Sequence, residues 1–111
     1  MLNRSLFLIV ILIAIVIRTP GLTQRPMHTD EAVHAVKFGM LLEDNYYRYD
    51  RSEYHGPTLN YLTLFPAWLE SAEKITEIDE AMLRIVPVFF GILLIVLLWA
   101  LVPGLSWPVV T

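Results

Sequence analysis

Two apolar runs lie near the ends of the 111-residue chain and enclose a polar middle. The first, residues 6–17, is uninterrupted. As a helix it covers only about 18 Å, so a span across the bilayer needs the flanking residues of 4–22 as well. The second, residues 85–102, contains no charge and is long enough to cross a bilayer alone. The pattern therefore predicts two transmembrane helices, at 4–22 and 85–102.

The first span is predicted to be an uncleaved signal anchor. A basic start followed by an apolar run is also typical of a secretory signal peptide, but no cleavage site of the Ala-x-Ala type follows. After the second span, Pro103 and Gly104 are expected to end the helix. Residues 103–111 are interpreted as a short loop and the start of a third apolar segment. We therefore expect the chain to be the first part of a longer protein.

The polar middle, residues 23–84, is predicted to be an extracytoplasmic loop that carries interfacial helices. A helix is expected from Asp30, capped by the hydroxyl of Thr29. Apolar residues recur on one stripe of it, at Val33, Val36 and Met40, which is typical of an amphipathic helix on a membrane surface. A second short helix is expected after Pro57, with Leu59, Leu62, Phe65 and Leu69 on one face. The predicted fold class is an all-α membrane protein with two spans.

Composition supports a membrane location and excludes several functions. The chain is 56% hydrophobic, with a mean hydropathy of +0.56. It contains no cysteine, so a disulfide framework or a thiolate nucleophile is impossible. The net charge of −3 argues against nucleic acid as a partner. The charges flanking the two spans favour an extracytoplasmic loop only weakly, because the positive-inside rule applies to short loops and this loop is long.

Asp30 and Glu31 are the strongest candidates for chemistry, and they lie between His28 and His34. Both acids could simply start a solvated helix, where the helix dipole favours negative charge. Alternatively, one could act as a general base while its neighbour tunes or orients it. Asp30 and His34 are four residues apart and so share a helix face.

Other polar residues leave further alternatives open. His28, His34 and His55 could bind a metal with Asp30, although their spacings match no compact metal motif. A guanidinium can hold a phosphate with two hydrogen bonds, which makes candidates of Arg48, Arg51 and Arg84. The tyrosines between residues 46 and 54 fit an interfacial aromatic belt, or a platform for a sugar ring or lipid head group.

Three segments together resemble the N-terminal part of GT-C glycosyltransferases, membrane enzymes that use polyprenyl-phosphate sugars. The class includes protein O-mannosyltransferases and the aminoarabinose transferases of lipid A, and the likeness is greatest to a prokaryotic branch of flippase-associated membrane proteins. The matching segments are His28-Thr29-Asp30-Glu31-Ala32, His55-Gly56-Pro57-Thr58-Leu59 and Leu83-Arg84-Ile85-Val86-Pro87.

The resemblance implies a role for individual residues. Asp30 matches the aspartate that deprotonates the acceptor, and Glu31 matches its partner acid. His55 stands where related O-mannosyltransferases carry His-Pro-Pro near the lipid phosphate, although Gly56 departs from that pattern. Arg84 matches the arginine before the second span. We expect contacts with substrate or lipid phosphate from His34, Arg51, His55 and Arg84.

The resulting prediction is the N-terminal part of a membrane glycosyltransferase in the cytoplasmic membrane of a prokaryote. It would move a sugar from a polyprenyl-phosphate carrier to an extracytoplasmic protein or glycolipid, with inversion at the anomeric carbon. No cofactor is expected; a divalent metal is a possible but not favoured alternative. Alternatives are a small two-span anchor or accessory protein whose outer loop binds a partner, and a histidine-based metal sensor. This segment alone is expected to be inactive, because further spans would supply much of the donor pocket.

Overall fold

A computed structural model describes residues 3–53 and 56–105 of the chain. This part forms four α-helices and contains no strand: α1 Arg4–Arg18, α2 Thr29–Asp44, α3 Thr58–Leu69 and α4 Glu80–Leu105. Short 3-10 turns lie at Arg51–Glu53 and Ile75–Glu77. The all-α prediction is confirmed for these residues. Among them, one helix is long and apolar enough to cross a membrane, over Glu80–Val102.

The chain divides into two compact units, and the first contains α1 and the larger part of α4. Its described residues belong to Met1–Pro20 and Val88–Thr111. Phe7 of α1 stacks on Trp99 of α4, with ring centroids 4.4 Å apart. Ala14 is buried, whereas most large apolar side chains of α1 are exposed. A helix that is hydrophobic on all sides is typical of a protein core or a membrane.

The helix α1 is shorter than the predicted span of residues 4–22. It ends at Arg18, and the Thr19 hydroxyl donates a hydrogen bond to the Ile15 carbonyl at 2.8 Å. Its 15 residues extend about 22 Å, less than the roughly 30 Å of a hydrocarbon layer. That α1 crosses the membrane therefore stays a prediction.

The helix α4 is longer than the predicted span of residues 85–102 at both ends. It begins at Glu80 because the Asp79 carboxylate accepts the Met82 amide at 2.8 Å and so satisfies a free donor of the first turn. Pro87 consequently lies in the helix interior, where its missing amide removes one helical hydrogen bond. The helix continues to Leu105, beyond the stop predicted from Pro103 and Gly104. The rest of the predicted loop lies outside the described residues.

The second unit, Gly21–Pro87, contains α2, α3 and the first two turns of α4. Its core contains Phe38 of α2, Ala67 of α3 and Leu83 of α4, together with Ala72 of the connector before α4. Ile75 packs directly on Gly39, so that a Cβ at residue 39 would lie 3.3 Å from the Ile75 side chain. The Glu43 carboxylate accepts the Ile75 amide at 2.7 Å, which fixes the connector to α2.

The apolar stripe predicted on α2 lies outward in this unit. Val36 and Met40 are exposed, whereas Phe38 and Leu41 form the buried face. The buried face is set by contacts of α2 with α3 and with the Ile75–Glu77 turn. A sequence pattern records where apolar residues cluster but not which cluster the tertiary contacts cover.

Candidate functional site

The candidate acids lie in the first turn of α2, which is capped by a histidine. His28 is the N-cap, and its Nδ1 accepts the Asp30 amide at 3.5 Å. Thr29 is the first helical residue, so the sequence prediction of Thr29 as the cap is wrong by one position. The Glu31 carboxylate accepts the His28 amide at 3.0 Å and completes a reciprocal cap.

Glu31 is held by two arginines from different parts of the unit. Its Oε2 lies 2.9 Å from Nη2 of Arg84, and its Oε1 lies 3.3 Å from Nε of Arg84. Nη2 of Arg25 donates to Oε1 at 2.8 Å. The Glu31 side chain is 28% exposed, against 10% for Arg84 and 70% for Arg25. The pair with Arg84 is therefore the sheltered one.

Arg84 also binds the backbone of the segment before α2. Its guanidinium donates to the Leu22 carbonyl through Nη1. Nη2 donates to the Arg25 carbonyl at 2.9 Å. A planar guanidinium with several fixed donors suits such a set of carbonyl and carboxylate acceptors. Arg84 therefore ties the start of α4 to the segment that leads into the Asp30-Glu31 turn.

These contacts keep Glu31 charged. The hydrogen bonds from Arg84, followed by the bond from the His28 amide, lower the pKa of Glu31 to about 2. Burial opposes this shift but is outweighed. A carboxylate with so low a pKa is a weak proton acceptor near neutral pH.

Asp30 differs sharply from its neighbour. Its side chain is 70% exposed, and its Oδ2 lies 3.7 Å from Nδ1 of His28. Within the described residues, no arginine or lysine forms an ion pair with Asp30. Of the two adjacent acids, Asp30 is thus the one whose oxygens can reach a ligand.

His34 points toward α3 and lies in a small polar cluster. Its Nδ1 donates to Oδ1 of Asn60 at 2.9 Å. Thr63 Oγ1 lies 3.5 Å from Nε2 and donates to the Leu59 carbonyl at 2.7 Å. Asn60 and Thr63 are both buried. A cavity of about 280 Å³ borders this cluster and includes Gly56 and Lys37 in its lining.

Arg51, another predicted contact, is not joined to the acids by these bonds. Arg51 is exposed in the Arg51–Glu53 turn. His55 lies outside the described residues. The structure therefore joins Glu31 to Arg84, with Asp30 next to Glu31 in the first turn of α2, and it places His34 one helical turn further along α2.

An open groove runs along the outward stripe of α2. Its volume is about 650 Å³, and it extends from Thr29, next to Asp30, to the tyrosine-rich segment that follows the helix. Its apolar lining comes from α2, and polar groups join from the following segment: Val33, Val36, Met40, Tyr46, Tyr47, Arg48 and Asp50. The Tyr47 hydroxyl is buried and has no hydrogen-bond partner among the described residues.

Metal-ligating side chains do not converge in the described ranges. No group of three or more His, Asp and Glu residues is close enough there to hold an ion. The prediction that no metal is required stays a prediction.

Several residues of this site were not predicted from the sequence. Arg25 had no local signal, because a loop arginine six positions before an acid is usually solvated. Asn60 and Thr63 did carry a signal: they are three residues apart in a segment otherwise rich in apolar side chains, so they share a helix face.

Comparisons with known proteins do not assign a family or a function to this chain. No family model, curated protein or solved structure matched the chain. The resemblance to GT-C glycosyltransferases therefore rests on the three sequence segments alone.

Proposed function

We propose that this chain is the N-terminal part of a membrane glycosyltransferase that takes a sugar from a polyprenyl-phosphate carrier. The acceptor is an extracytoplasmic protein or glycolipid, and Asp30 is the base. The observation that carries this proposal is the difference in exposure and ion pairing between the two adjacent acids. Asp30 is exposed, while Glu31 is fixed by Arg84.

The proposed reaction is a direct displacement. The acceptor oxygen or nitrogen attacks the anomeric carbon, the bond from that carbon to the lipid phosphate breaks, and the phosphate leaves with the electron pair. Asp30 takes the proton of the acceptor. Since the lipid phosphate is already a good leaving group, the main needs are a base and cations near the departing phosphate.

Glu31 and Arg84 act in this proposal as positioning residues. Their ion pair joins the first turn of α2 to the start of α4, which is the helix apolar enough to cross a membrane. That connection would hold Asp30 at a fixed place relative to the point where α4 leaves the unit. Since the donors of Arg84 already face protein acceptors, a phosphate contact would require Arg84 to exchange one of them.

The groove that begins at Thr29, the residue before Asp30, is the proposed place for the lipid-linked donor. Apolar side chains of α2 line it, and Arg48 provides a cation that could face a phosphate. His34, Arg51 and His55 stay proposed contacts to the donor. No cofactor is proposed, and the acceptor would approach Asp30 from its exposed side.

The test is transfer of labelled sugar in membranes from cells that express the full-length gene of which this chain is the proposed N-terminal part, because the segment alone is expected to be inactive. Polyprenyl-phosphate sugar and nucleotide sugar are supplied separately, with inhibitors that block synthesis of one donor from the other. The proposal expects transfer from the lipid-linked donor alone. Transfer only from the nucleotide sugar, or no transfer from either donor, would contradict it and favour the two-span accessory protein.

A further inference from the structure

The helix α3 has two polar side chains on its inner side and several of its large apolar side chains on its outer side. Asn60 and Thr63 are buried, together with Ala67. Four large side chains of the opposite side are exposed: Tyr61 52%, Phe65 62%, Trp68 72% and Leu69 61%. We call these four residues the aromatic face of α3. In water, burial of apolar area would favour the opposite orientation.

This orientation is held by specific contacts. Asn60 binds His34 of α2 at 2.9 Å, and Ala67 is fully buried in the core beside Phe38. Rotation of α3 to hide the aromatic face would break the hydrogen bond and expose the core. A buried polar group that loses its partner is costly, so the inward polar side is fixed.

A bilayer is the occupant that best fits the aromatic face. The segment Thr58–Leu69 contains no charged residue, which distinguishes it from most protein-binding rims. Tryptophan and tyrosine prefer the membrane–water interface, where one end of the ring is apolar and the other is wet. The first turns of α4 belong to the same compact unit, and α4 is the helix apolar enough to cross a membrane. The unit is therefore tethered at a bilayer surface if α4 spans it.

We propose that the aromatic face of α3 inserts into the interfacial layer of the bilayer and docks the Gly21–Pro87 unit on the membrane. This inference does not depend on glycosyl transfer, since a two-span accessory protein would dock in the same way.

The test places a single tryptophan on the aromatic face. The full chain carries Trp99→Phe and Trp107→Phe, so that Trp68 alone emits, and it is reconstituted into phosphatidylcholine vesicles. A second reporter adds Phe65→Trp and Trp68→Phe to these changes. The matched control instead adds Glu73→Trp and Trp68→Phe, which moves the indole to an exposed position in the connector. Circular dichroism verifies that each variant keeps its helices.

The proposal expects both reporters on α3 to lose more than half of their emission to bromine atoms on the lipid acyl chains. They should also resist quenching by aqueous iodide, whereas the control at residue 73 should show the reverse. Strong iodide quenching of Trp68 without bromolipid quenching would overturn the proposal, because the face would lie in water. Protection from both quenchers would also overturn it, since a second copy of the chain or another protein segment would then cover the face.

Discussion

Arg84 donates two hydrogen bonds to the carboxylate of Glu31, at 2.9 and 3.3 Å, across 53 positions of sequence. This pair joins the beginning of α4 to the beginning of α2. It also gives the two adjacent acids different environments, since Glu31 is fixed in an ion pair and Asp30 is exposed.

Replacing Glu31 with glutamine should lower stability and change its dependence on pH. The folded-state pKa of Glu31 is about 2, below the ordinary 4.5. Its stabilising contribution is therefore fully present above pH 4.5 and is lost as the pH falls toward 2. We expect a loss of about 1–2 kcal/mol near neutral pH, reduced by partial exposure of the carboxylate. Thermal unfolding in detergent across this range measures the effect.

The control for Glu31→Gln is Glu70→Gln at an exposed position. Backbone amides also lower the pKa values of Asp50 and Glu77, so the unmodified chain loses stability in acid for more than one reason. The difference between unmodified chain and Glu31→Gln isolates the ion pair. That difference should shrink as the pH approaches 2. A constant difference at every pH would show that Glu31 does not act through its charge.

Replacing Arg84 with lysine should weaken the segment before α2 although the charge is kept. Lysine cannot bind Glu31 with two donors and also reach the Leu22 and Arg25 carbonyls. We expect faster proteolytic cleavage within residues 22–28 and a lower unfolding temperature. Arg48→Lys, at an exposed position, serves as the matched control. Equal cleavage rates in both variants would rule out a bracing role for Arg84.

Replacing Asn60 with leucine should destabilise the pairing of α2 with α3. The side chain of Asn60 is buried and accepts a hydrogen bond from His34. The substitution leaves the imidazole without this acceptor, at an expected cost of about 1–3 kcal/mol. Tyr61→Leu, an exposed position one residue on, should cost clearly less. Protection of α3 amides from hydrogen exchange is the suitable measurement, and unchanged protection in Asn60→Leu would contradict the prediction.

Gly39 should tolerate no large side chain. An added Cβ already lies 3.3 Å from Ile75, so valine would push the connector off α2 and strain the Glu43 bond to the Ile75 amide. We expect about 1–3 kcal/mol of destabilisation from overpacking. Gly56→Val is the comparison, because an added Cβ at that position meets nothing within 4 Å. A Gly39→Val protein as stable as Gly56→Val would mean that this contact is not close-packed.

The sequence predicted the helical elements better than their ends. The apolar runs and the acids after His28 were sufficient to predict α2 and α4, because these signals are local. The ends of α4 were missed, since Asp79 was not recognised as a helix start and a proline interior to a helix is usually a boundary signal. The outward orientation of Val36 and Met40 depends on what α3 and the connector cover, which no local pattern contains.

The candidate site was predictable only in part for the same reason. The nomination of Asp30 and Glu31 followed from their position after an apolar run. Their different environments follow from Arg84, which lies far along the chain, and from Arg25, which had no distinguishing pattern. Long-range partners of this kind decide which of two adjacent acids is exposed, and a single sequence does not specify them.

The most direct test of the central claim is sugar transfer from a polyprenyl-phosphate donor by the full-length gene product carrying Asp30→Asn, compared with the same product carrying Asp44→Asn. Both changes remove one carboxylate from an exposed position of α2, at opposite ends of the helix. Asparagine keeps the shape of aspartate but cannot accept the proton of the acceptor. We predict that Asp30→Asn inserts and accumulates normally while transfer falls by about 10² or more, and that Asp44→Asn transfers normally. Unchanged transfer by Asp30→Asn would show that Asp30 only starts a helix and would contradict the account.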